Sequence, residues 1–353
     1  MKTSARDILY MCFLPDKGLA AKNTVKLFVF IFIFTNGINA QHYQFSQFYA
    51  APTYLNPAFT GANACSRLSL SYRDQWPSIP GAFISYQLSY DHYFNSMRSG
   101  LGFLFFSDKS GYGGLRTNQY SFLYAFELKL SKKYFCRFGV QPGFVSRSVN
   151  YSALLFGDQI ARGGASASVE SFIPSTVYLD LSSGLLLYSK QNWLGLAAYH
   201  MTQPNQALLD ISTSPLPREF RIHGGRKFYI KEEAKKADKE YISVAFNYKS
   251  QLKFDQFDVG VYYTRKPLVA GVWYRGIPVL KAYKPGYSNN DALCFLFGIN
   301  WLKLNVGYSY DLTISKLTYK SGGSHELSLR YDFCDRKRYK VKGKTILVPC
   351  PKF

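Results

Sequence analysis

Long apolar runs are almost absent from this 353-residue chain. The longest is Leu27-Phe28-Val29-Phe30-Ile31-Phe32-Ile33-Phe34. A membrane-spanning helix needs about 20 such residues, so a protein that crosses a bilayer on helices is excluded. Charged residues are also sparse, at 18%, yet 47% of the chain is hydrophobic, which excludes the disordered class. Acidic side chains are few, 22 against 43 basic ones. The excess persists when residues 1–40 are set aside, and it points to acidic protein partners or anionic headgroups; nucleic acid is not expected as a partner. Histidines number five and are scattered. There is no G-x-S-x-G elbow and no phosphate loop: Gly111-Tyr112-Gly113-Gly114 lacks the Lys-Ser/Thr pair and reads as a hairpin turn. His325 has Ser324 and Glu326 beside it, but neighbours in a strand point to opposite faces. No catalytic, cofactor-binding or metal-binding residue and no cofactor is therefore expected, and the chain does not read as an enzyme.

Of six cysteines, Cys12 precedes the apolar run; Cys65, Cys136, Cys294, Cys334 and Cys350 follow it. Their spacing fits no zinc site. Cys334 and Cys350 can close a tail loop in an oxidising compartment, or the thiols can simply be buried and idle. The apolar run itself, with Lys22 and Lys26 before it and Ala40 before Gln41, reads as a signal peptide. Residues 1–40 are then leader and signal, and the mature protein is exported.

What the chain has in quantity is aromatic residues, with 29 Tyr and 29 Phe, and a two-residue period. Leu302, Leu304, Val306, Tyr308, Tyr310 and Leu312 alternate with Lys303, Asn305, Gly307, Ser309 and Asp311. A helix would need apolar spacings of three and four. The same alternation runs through 67–73, 84–91, 119–130 (broken at Leu123), 242–249 and 327–333. Weaker versions lie near 100–107, 134–147, 176–189, 193–201, 219–230, 256–264, 268–275 and 291–299. That makes fourteen strands, an even number, as single-chain bacterial barrels have. Connections after strands 4, 6, 10 and 12 are tight: Ser131-Lys132-Lys133, Lys190-Gln191-Asn192, Arg265-Lys266-Pro267 and Asn300. Several after odd strands are long, at 148–175, 202–218, 276–290 and 313–324. One charged connection, Lys231–Lys239, is longer than its peers on the tight side. This parity predicts an all-β, transmembrane antiparallel β-barrel in the outer membrane, with both termini periplasmic. A soluble sandwich would require a dry face between sheets, but here the second face carries Arg, Asp, Glu, Lys and Gln.

The expected organisation is leader 1–40, an N-terminal periplasmic or lumen segment 41–64, barrel 65–334, and a basic periplasmic tail 335–353. Pro52 and Pro57 keep the N-terminal segment from being a regular strand or helix. The tail cluster Arg336, Lys337, Arg338, Lys340, Lys342 and Lys344 either docks an acidic partner or is solvated. Inward charges, among them Arg67, Arg73, Asp91, Arg330 and Asp332, line a pore or pair with one another.

Short motifs recur in a fixed order. Gln47-Phe48-Tyr49 leads into Asn56-Pro57-Ala58-Phe59-Thr60-Gly61. Strand 1 ends in Tyr72-Arg73-Asp74-Gln75-Trp76-Pro77, and Gly100 and Gly102 precede Asp108 and Gly111. Tyr308-Ser309-Tyr310-Asp311 and Gly322-Gly323-Ser324-His325-Glu326-Leu327 close the series. Together, over about residues 41–333, they resemble the PorP/SprF family of type IX secretion system membrane proteins. The resemblance implies an outer-membrane barrel of a Bacteroidota-type bacterium. It would aid secretion, surface attachment or gliding through a cognate large adhesin with a C-terminal sorting domain, alongside other secretion components. Asp74, Asp108 and Asp311 join the five inward charges as lumen or partner-facing candidates. The alternative is a small-solute porin, since a fourteen-strand barrel must be filled, plugged or leaky.

Overall fold

The computed structural model describes residues 44–63, 65–164, 168, 173–208, 213–230, 240–284, 287–315, 318–333 and 348–350. The expected leader and signal peptide, the Lys231–Lys239 connection and the basic cluster at 336–344 lie outside them. Fourteen strands run in chain order: β1 Arg67–Gln75, β2 Phe83–Phe94, β3 Ser99–Ser110, β4 Leu115–Lys129, β5 Phe135–Ser148, β6 Ser175–Tyr188, β7 Asn192–Tyr199, β8 Glu219–Tyr229, β9 Glu240–Gln251, β10 Phe254–Arg265, β11 Leu268–Lys284, β12 Tyr287–Trp301, β13 Leu304–Thr313 and β14 Ser324–Asp332. Each pairs antiparallel with its sequence neighbours, and β1 pairs with β14 from Arg67↔Asp332 to Gln75↔Ser324, so the sheet is a closed barrel.

Closure follows from the solvent. In lipid, each unpaired backbone N–H or C=O costs several kcal/mol, so a spanning sheet must close on itself. The side-chain period then sorts the faces. Along β4 the outward residues include Tyr120, Phe122, Tyr124, Phe126 and Leu128, with Phe122 62% exposed, while Gln119, Ser121 and Glu127 are buried inside. On β14 Leu327, Leu329 and Tyr331 face outward and Glu326, Ser328 and Arg330 inward. A molecule whose outer wall is apolar and whose inner wall is charged meets lipid with the first, and this is an outer-membrane barrel. Among the described residues no helix is long and apolar enough to cross a membrane; the crossing is made by strands.

Connector lengths depart from the expected parity at three places. The connection expected as a loop at 276–290 is largely strand, because β11 runs on to Lys284 and β12 begins at Tyr287. This hairpin stretch breaks the alternation and contains Pro278, which hid it. Leu252 and Lys253 make a two-residue turn on the side of the long loops, with Leu252 at positive φ. At the other end the turn expected at Asn300 lies at Leu302 and Lys303, with Leu302 at positive φ rather than in strand. Cys65 takes part in a disulfide, while Cys136 and Cys294 are free thiols. The loop expected between Cys334 and Cys350 involves Cys334, which lies outside the described residues.

Leu196 is an outward apolar residue of β7, flanked on the same face by Leu194. Leu196→Arg is expected to destabilise the membrane-inserted barrel by about 2–4 kcal/mol, read from denaturant unfolding in bilayers. An inward polar exchange such as Ser182→Asn should cost far less.

Candidate functional site

Residues 44–63 occupy the inside of the barrel. Their local shape is set by two prolines. Pro52 opens a one-turn helix, Pro52–Leu55, and Pro57 a 3₁₀ turn, Pro57–Phe59; both sit where no N–H is needed. Asn56 between them is extended, as a residue before proline tends to be, and its Oδ1 accepts from the Ala58 N–H at 2.9 Å. Ser46, Gln47, Thr53, Asn56, Ala58, Phe59 and Thr60 are almost wholly buried.

The segment is held by the charges of the wall. Ser46 is the densest junction. Its hydroxyl accepts from Arg73 Nη1 and from Arg275 Nη2, each at 2.7 Å, and donates to Asp311 Oδ2 at 2.5 Å. Arg73 pairs with Asp311 at 2.8 Å and Glu326 at 3.1 Å, and Arg275 pairs with Asp258 at 2.9 Å. The Ser46 and Gln47 N–H groups donate to the two oxygens of Glu326 at 2.7 and 3.0 Å. Gln47 also accepts from Ser328 Oγ at 2.6 Å.

Further along, Arg67 grips Asp91 with two bonds of 2.8 and 2.9 Å and reaches the Phe59 carbonyl. The Gly61 N–H donates to the same Asp91 at 2.7 Å. Arg137, paired with Glu127 at 2.6 Å, donates to the carbonyls of Ala58 and Thr60. Across the lumen, Arg221 and Tyr199 both donate to the Tyr54 carbonyl. Asn56 Nδ2 donates to the ladder carbonyls of Leu185 and Leu196 at 3.1 and 3.0 Å and lies 3.1 Å from His223 Nε2. Contacts thus reach β1, β2, β5, β6, β7, β8, β11, β13 and β14, right around the wall.

Apolar packing completes the filling. Phe48, Tyr49, Leu55 and Phe59 form one core with Trp193, Tyr262, Trp273 and Leu186 of the wall. Phe45 and Tyr54 form a second with Leu104, Phe106 and Leu123. Leu123, the break in the alternation of β4, faces inward because it has Phe45 to cover it. Two wall glycines allow the close approach: a Cβ at Gly139 would collide with the backbone of Pro57 and Ala58, and one at Gly184 with the Asn56 side chain. A cavity left between Phe45, Tyr54, Arg221 and Lys249 measures about 20 Å³, room for roughly one water. Val348 is buried in the first core, with Cys350 against it; this part of the tail is packed rather than solvated.

The candidate charges fall into three groups. Arg67, Arg73, Asp91, Asp311 and Asp332 bond the inner segment, Asp332 by accepting from Asn63 Nδ2 at 2.7 Å. Arg330 pairs with Asp332 at 2.8 Å, and Asp108 accepts from Ser85 at 2.6 Å, so both are inside but turned to the wall. Asp74 follows Arg73 onto the outer face, in line with Tyr72 at the rim. The inward charges therefore pair with one another and with the inner segment rather than lining an open pore. Arg275, Asp258, Arg137, Glu127 and Arg221 belong to the site but were not singled out from the sequence, and Glu326 and Asn56 stood there only within the recurring motifs. For the charged ones the signal was the one that found Arg67: a charge on the polar face of an alternating strand. His325 lies on the outer face and meets Tyr308 Oη at 2.8 Å, away from Glu326.

A model of the type IX secretion system membrane protein PorP/SprF matches residues 38–331. The chain belongs to the PorP/SprF family. The motifs that carried the resemblance, Gln47-Phe48-Tyr49 and Asn56–Gly61, are the inner segment, and Arg73, Asp311 and Glu326 are its anchors. Among solved structures this PorP/SprF protein is similar to the toluene transporter TodX of P. putida, at 10% identity over 79% of this chain and 92% of that one, TM-score 0.43. It is also similar to a FadL homologue of Pseudomonas aeruginosa, at 12% identity over 81% and 94%, TM-score 0.46. No curated protein matches it by sequence.

Removing one member of a buried ion pair leaves its partner uncompensated, at a cost of about 3–5 kcal/mol. Arg73→Ala should therefore loosen the inner segment, and Gly139→Val should push it out by steric conflict. Both variants are expected to stay barrel-shaped by circular dichroism yet show a raised ion conductance in planar bilayers relative to the unaltered protein.

Proposed function

We propose that this PorP/SprF protein is a non-enzymatic, sealed outer-membrane barrel that receives one cognate large secreted protein of the type IX system and aids its secretion and attachment at the cell surface. The observation that carries the reading is the Ser46–Gln47 junction with Arg73, Arg275, Asp311 and Glu326. Lumen charges that bond the chain's own N-terminal segment cannot also line a path for solutes, and this weighs against the porin alternative. Family membership supplies the secretion context.

In this reading the partner is an adhesin with a C-terminal sorting domain, and surface gliding is the activity it serves. Periplasmic or translocon components of the same system are the second class of partner. The tight turns and both termini lie in the periplasm, and the long connections at 149–174 and 200–218 face outward. Outer-membrane lipid covers the apolar band.

Deleting the gene is expected to abolish surface display of one large secreted protein while general permeability is unchanged. Normal display in the deletant, together with sugar or ion flux through the purified protein in liposomes, would sink the proposal.

A further inference from the structure

One strand of the barrel is much shorter than its neighbours. β7 has 8 residues, whereas β6 has 14. Their pairing therefore covers only Ser183↔Ala198 to Tyr188↔Trp193. The upper half of β6, Ser175 to Ser182, is paired on the β5 side throughout but has no strand on the β7 side.

The direction of its backbone groups can be read from two bonds. Val149 N–H donates to the Pro174 carbonyl, so even-numbered residues here turn their backbone groups to β5. Met201 N–H donates to the Leu181 carbonyl, so odd-numbered residues turn theirs to the β7 side. Val177 and Leu179 thus present N–H and C=O to the gap. Among the described residues the one hydrogen bond given to these groups comes from the Thr202 hydroxyl, a long 3.4 Å from the Leu179 carbonyl. Among the described residues the chain after β7 pairs no backbone group with Val177 or Leu179, although it meets Leu181 of β6 and again Ile173 just before that strand. It turns at His200 and Gln203, both at positive φ, and runs over the barrel end, where Gln206 meets Arg147 and Leu208 accepts from Ile173.

The outer face of this edge is apolar: Val177 is 66% and Leu179 61% exposed. Edge strands are ordinarily blunted by charges, proline, a bulge or a covering loop; Val177 to Leu181 carries no lysine or proline, and its one charge, Asp180, points inward to His200 at 2.7 Å. Leu179 pairs with Phe144, which pairs with Tyr120, whereas Val177 pairs with Ser146, which pairs with Asn118, so the outward residues change from apolar to mixed across these two rungs. Lipid cannot bond these groups. A second copy cannot do so by symmetric antiparallel pairing. The two-fold axis would lie across the strands, and one barrel would be upside down in the membrane.

We propose that the upper edge of β6 binds an extended segment of the secreted partner by strand addition, with Val177 and Leu179 as the pairing positions. The segment is apolar on alternate residues, so that its outer side chains continue the band of Val177, Leu179 and Leu181. This rests on the secretion reading for the partner's identity; the ladder of donors and acceptors alone calls for a β-strand.

Proline tests it at the backbone. At 177 and 179 proline removes an N–H that faces the gap and leaves the β5–β6 ladder intact. The full-length double variant Val177→Pro/Leu179→Pro, confirmed as folded by heat-modifiable mobility, is expected to retain the partner at the cell surface about tenfold less or worse. Val177→Thr, which keeps the N–H, should retain it normally. A photo-crosslinker at Leu179 in the otherwise unaltered chain should join it to the partner. Retention unchanged by the prolines, or no crosslink at Leu179, overturns the inference; the crosslink decides if the proline variant does not assemble. A crosslink between two copies would assign the edge to self-association and equally overturn it. If deletion of the gene blocks display but the prolines do not, strand addition alone fails. If deletion has no effect on display, the secretion reading fails first.

Discussion

Everything in this protein depends on the charges of the inner wall having partners. A fourteen-strand sheet closed in lipid must turn its apolar face outward, and the period of two then sends Arg, Asp and Glu into the lumen. Buried there, an uncompensated charge costs several kcal/mol. Ser46 resolves the densest cluster by accepting from two guanidinium groups while donating to Asp311. Glu326 is satisfied in the same place by the backbone N–H groups of Ser46 and Gln47. The N-terminal segment is thus the counterpart that the lumen's electrostatics require, and its shape follows from Pro52, Asn56 and Pro57.

Strand number and pairing were legible in the sequence because lipid imposes a strict period. The alternation from Leu304 to Leu312 and from Leu327 to Tyr331 can be read directly as two faces, and the observed β13 and β14 agree. Where lipid imposes nothing, the reading failed. Gly276 to Lys284 continues β11, but without alternation it resembles a loop. The place of the N-terminal segment, periplasm or lumen, stayed open for a different reason. Residues 44–63 have no repeat, and their structure comes from contacts with wall residues up to 281 positions away.

A signal for that filling was nonetheless present. Leu104, Phe106, Leu123 and Trp273 lie on faces that alternation marks as inward and polar. Apolar side chains there make no sense in a water-filled channel, but they make sense against Phe45, Tyr54 and Phe48. Departures from the two-residue period therefore located the inner segment's docking sites, much as the period located the strands. The PorP/SprF motifs report the same interface from both sides, with Gln47 and Asn56 on the segment and Arg73 and Glu326 on the wall.

The measurement that bears most directly on this account is amide hydrogen exchange of the membrane-inserted protein over residues 44–63. The N–H groups of Ser46, Gln47, Ala58 and Gly61 donate to buried carboxylates or to Asn56. They should be protected for as long as the strand amides of β13 and β14. Exchange of this segment within seconds, like a loose chain end, while the strands stay protected, would contradict it.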